Sequence, residues 1–190
     1  MRRLFRRIAQ AAREPDWFAL RVGEQVAAGR RGPATVAALA TFEMTVDGDE
    51  GDGRGVALLW LERGGQADAL MVDHDIYGGE DAFDVVTLHD LDPADPALFA
   101  ALKGRLVAGE DVSVTGPGGR ELVGEPEPLR LLRAEGTAAA GVPASGWAIS
   151  LFRAGSKDVW SFWLVLCDRG QVPRLAFEGR SRRGGNAGYR

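Results

Sequence analysis

Apolar and polar positions alternate with a period of two along much of the chain, the signature of strands with one wetter face. Val36–Val46 sets Leu39, Thr41, Glu43 and Thr45 against Ala40, Phe42, Met44 and Val46. Gly55–Arg63 is apolar on both faces, as suits a central strand covered on both sides. Asp68–His74 and Phe83–Asp90 follow with turns between them, so the first half predicts an antiparallel meander. A hairpin is expected around Gly116–Gly119. Two strong strands, Trp147–Arg153 and Asp158–Asp168, come next. Gln171–Arg180 reads as an edge strand, the position where Pro173 is tolerated. The small, nearly uncharged stretch 134–146 reads as a plain connector.

The pattern changes to a helical one in three places. Leu98, Phe99, Leu102 and Leu106 form a stripe after Asp95 as N-cap and Pro96 at the first helical position, which predicts a helix over about 96–108. Leu4, Phe5, Ile8 and Ala12 define a short amphipathic helix over 2–12. Asp16 caps a second N-terminal helix, running to about Gly29. The expected fold is therefore α+β: a mainly antiparallel sheet of about six to eight strands, with these helices packed on one face. The organisation expected is a basic helical arm over 1–31, one α+β domain over 32–179, and a basic tail over 180–190.

Charge sharpens this division. The net charge of −4 is the balance of unlike regions. Residues 1–31 hold eight Arg against Glu14, Asp16 and Glu24. Residues 32–152 hold seven Lys or Arg against twenty-one Asp or Glu, and 153–190 hold eight against three. An acidic body thus carries two basic ends, and suits a basic protein partner. Arg2, Arg3, Arg6 and Arg7 offer the N-terminal end to nucleic acid or an anionic membrane as the alternative.

Chemistry-bearing residues are few. Cys167 is the single cysteine and lies in an apolar run, which fits a reducing compartment, here expected to be a bacterial cytoplasm. Asp47, Asp49, Glu50 and Asp52 crowd a glycine-rich stretch that imitates a calcium loop. Gly51, Asp52 and Leu58 stand at positions where such a loop needs a ligand, a glycine and a bidentate Glu. The stretch reads instead as an acidic hairpin loop for an Arg-bearing partner. Asp73, His74, Asp75, Glu80 and Asp81 form a second acidic cluster, the metal-site alternative. His89 falls roughly 15–20 Å from His74 if the two strands pair as a hairpin. No nucleophile has a neighbouring base, so the reading leans against an enzyme and expects no cofactor. The function expected is a non-enzymatic protein-binding module: an adaptor, chaperone, immunity-type protein or subunit of a larger assembly.

Overall fold

The computed structural model describes residues 16–27, 33–44, 55–77, 80–90, 104–106, 108, 110–116, 119–153, 159–167 and 175–179. Eleven strands account for most of them: β1 (Gln25–Ala27), β2 (Pro33–Met44), β3 (Gly55–Arg63), β4 (Gln66–Tyr77), β5 (Glu80–Asp90), β6 (Val112–Gly116), β7 (Arg120–Gly124), β8 (Pro126–Glu135), β9 (Ser145–Arg153), β10 (Val159–Cys167) and β11 (Leu175–Gly179). Every pairing is antiparallel.

The pairings close a ring. β2, β3, β4 and β5 form one meander, and β8, β9, β10 and β11 form another. β5 then pairs with β11, through Leu88↔Gly179, His89↔Glu178 and Asp90↔Phe177. β8 bends from β9 onto β2, with Leu129 opposite both Gly146 and Met44. The result is an eight-stranded barrel built of two like-ordered meanders. β11 therefore lies between two strands and is not an edge.

Strand parity explains the core. Ala40, Phe42 and Met44 of β2, Val56 and Leu58 of β3, Met71 of β4, Leu88 of β5, Leu129 of β8, Ala148 of β9 and Phe162, Leu164 and Leu166 of β10 bury one common interior. Eight strands enclose a space that side chains just fill. This apolar filling is the reverse of a membrane-spanning barrel, whose lumen is polar. Val142, in the connector between β8 and β9, packs against the same interior. That connector begins at Gly136, where φ is +88° and a side chain would meet the backbone of Ala37 and Ala38. A short 3-10 turn, Thr137–Ala139, follows.

The opposite parity is covered by two flanking layers. Trp17, Leu20 and Val26 lie over Val36 and Leu39 of β2, Ala57, Leu59 and Leu61 of β3 and Leu70 and Val72 of β4. On the other meander, Leu106 and the β6–β7 hairpin (Val112, Leu122) cover Ile149 and Leu151 of β9 and Trp163 and Val165 of β10.

These layers correct the α+β expectation. Among the described residues no helix reaches seven residues, and the architecture is an antiparallel barrel with strands and turns as its covers. The second N-terminal helix is absent: residues 16–24 make turns and 25–27 are β1. The reason is local. The Ala19 N–H donates to the Asp16 carboxylate and carbonyl (3.2 and 3.1 Å), a turn closed by its own side chain. Gly23 then takes φ +90° and donates to the Val36 carbonyl at 2.8 Å, which starts sheet pairing. Of the helix expected over 96–108, Gly104, Arg105, Leu106 and Ala108 have helical backbone, and 96–103 and 107 lie outside the described residues. The 2–12 helix and the 180–190 tail also lie outside them.

Candidate functional site

Antiparallel order places alternate connections at opposite ends of the barrel. One end holds the finish of β2, β4 and β9 and the start of β3, β5 and β8. Sequence-distant carboxylates lie at this end. Asp73 lies opposite Val56, and so shares the interior parity; it is half-buried. Glu127 lies opposite Ala148 with the same parity, also half-buried. Glu125, in the link between β7 and β8, is exposed. On the outer face of this end the Arg130 guanidinium holds the Glu43 carboxylate, through both Nε and Nη2.

Both acidic stretches singled out from the sequence connect to this end. Residues 45–54 link Met44 of β2 to Gly55 of β3, and Gly55 pairs with His74. Asp47, Asp49, Glu50 and Asp52 themselves lie outside the described residues, as do Arg2, Arg3, Arg6 and Arg7. The β4–β5 hairpin sets His74↔Phe83, Asp75↔Ala82, Ile76↔Asp81 and Tyr77↔Glu80. Register parity assigns His74 and Asp81 to one side of the hairpin, and Asp73, Asp75 and Glu80 to the other. Only the backbone of His74, Asp75, Glu80 and Asp81 is described. His89 lies six positions along β5 from the partner of His74, about 20 Å away along the strand. Among the described residues no group of three or more His, Cys, Asp or Glu is placed to hold a metal ion.

A second polar cluster ties the N-terminal cover to the barrel wall. Arg133 Nε donates to Glu135 at 2.7 Å, on the outer face of β8 opposite Thr41 and Leu39. The Arg133 hydrogen bond, aided by the Val22 backbone N–H and the charge of Arg21, holds the Glu135 carboxyl below its ordinary range. Arg133 is correspondingly raised, by the same hydrogen bond and by Glu135 and Glu24. Beside this cluster Leu132 is pushed out by the β8 bulge and is 57% exposed.

Glu43, Glu125 and Glu127 carry no spacing that marks them as members of one site. They are joined to Asp73 only by registers between strands far apart in sequence, and the Glu-Pro repeat 125–128 is the one local hint. Cys167 is buried with the apolar residues around it. Among the described residues no helix is long and apolar enough to cross a membrane. Comparison with known proteins finds no matching family model, curated protein or solved structure.

Proposed function

We propose that this protein is a non-enzymatic binding module for another protein with a cationic surface: an adaptor, chaperone, immunity-type protein or subunit of a larger assembly of a bacterial cytosol. One observation carries the reading. Strand order brings Asp73, Glu125 and Glu127 to the same barrel end at which the Asp47–Asp52 stretch joins β2 to β3. Carboxylates spread over a rim attract Arg-bearing surfaces by charge-assisted hydrogen bonds and repel polyanions. The barrel interior is occupied by the protein's own side chains, which leaves its ends and outer faces for recognition.

The test compares the native protein, immobilised and exposed to host lysate, with the variant Asp47→Asn/Asp49→Asn/Glu50→Gln/Asp52→Asn. The native protein is expected to retain a defined basic protein that the variant loses and that raised salt weakens. An identical set of retained proteins for both forms would refute the proposal.

A further inference from the structure

The barrel ring has no edges, but the sheet that continues from it does. Among the described residues β6 pairs with β7 alone, over all five of its positions, so its outer row of backbone N–H and C=O groups faces away from the sheet. β1 also has one neighbour, yet spans three residues. β7 meets β9 only at Leu122↔Arg153 and Val123↔Phe152, the last residues of β9. The outer part of the hairpin therefore runs past the barrel end that carries Asp73 and Glu127.

The two faces of this hairpin differ. Val112 and Leu122 are buried on the β9–β10 wall, while Val114 is only half-buried against the same cluster, which leaves the cluster open on the β6 side. On the other face Ser113 Oγ donates to Glu121 Oε1 at 2.7 Å. Glu110, Asp111, Glu121 and Glu125 are all exposed around it. Arg120 starts β7 at the parity of Leu122, that of the opposite face; beside the acidic face the Arg105 Nη1 donates to the Asp111 carbonyl at 2.9 Å, and Arg153 is half-buried.

From this edge we infer that the partner adds an extended segment to β6 as a twelfth strand, and that the segment alternates basic with apolar residues. The inference rests on the protein-binding reading above and gives its mode. Backbone hydrogen bonds to β6 supply the attachment. Apolar side chains of the segment continue the row of Val112 and Val114, and the basic ones meet Glu121 and its neighbours.

The test is hydrogen exchange of the full chain with three capped octapeptide probes: alternating Arg-Val, alternating Glu-Val and alternating Arg-Pro. The Arg-Val peptide is expected to slow exchange within 112–116 by about tenfold or more, as a newly bonded edge does. The Glu-Val peptide lacks the charge and is expected to leave that segment unchanged, and the Arg-Pro peptide lacks every second strand donor and is expected to protect it far less than Arg-Val. Absence of protection by Arg-Val, equal protection by Arg-Pro, or protection confined to other segments overturns the inference. So does concentration-dependent protection of 112–116 without peptide, together with a dimer in sedimentation, which would make a second copy the occupant. Loss of partner retention in the Asp47–Asp52 variant reports on the acidic rim and not on the edge, so the two readings fail separately.

Discussion

Glu135 joins two parts of the chain that are far apart in sequence, and the joint depends on its charge. The carboxylate accepts from Arg133 and from the Val22 backbone N–H, which lowers its folded-state pKa. A lowered folded-state value means stability that is full above the ordinary value of 4.5 and is lost as pH falls through the depressed one. The protection factor of the Val22 amide is therefore expected to hold at neutral pH and collapse in that acidic window. Glu135→Gln is expected to show low protection with no such step; a native step that survives in Glu135→Gln would assign it to another group. None of this is legible in the sequence, where Arg133 and Glu135 look like one more pair of surface charges. Their importance comes from Val22, which turn geometry and not spacing brings to them.

Among the elements, strands were the legible part. Gly55–Arg63 carries the pattern of a strand covered on both faces, and the structure places β3 between β2 and β4 with six of its nine residues buried. Turn chemistry at Gly64–Gly65, both with positive φ, marked the hairpin that follows. The misread element was 16–29. Trp17 and Leu20 stand three apart, as helix neighbours do, and an N-cap residue precedes them. Asp16 instead closes a single turn, and Trp17, 2% exposed, is pressed onto the outside of β2–β4. Propensity gave way to that burial. Trp17→Ala is expected to cost about 3–5 kcal/mol, as truncation of a buried aromatic does. Val22→Ala, in the same segment but 42% exposed, is expected to stay within about 0.5 kcal/mol. Denaturant titration of the two variants decides between a structural cover and a loosely attached arm.

At the scale of the molecule, ring closure was hidden because no local pattern encodes the β5–β11 and β2–β8 registers. Two strands do begin alike in sequence, Gly55-Val56-Ala57 in β3 and Gly146-Trp147-Ala148 in β9, but this likeness does not reveal the ring. A side chain at Gly55 would meet Phe18 on the outer layer, and one at Gly146 would meet Leu166 of the interior, so the two glycines face opposite sides. Two meanders with the same internal order still meet along two seams. A chain cut within 91–103 is expected to give fragments that show no cooperative unfolding alone and regain it when mixed, measured by circular dichroism and thermal melting. A folded single fragment would contradict a jointly built interior.

The position of β11 sets a condition on how this protein is made. A ribosome delivers β5 long before its partner, because Leu175–Gly179 comes only after β6 to β10. Until then the β5 border of the first meander stays open, although β8 can already close the β2 border, and an open border invites aggregation. A variant lacking Leu175–Gly179 is expected to keep that border open after synthesis is finished.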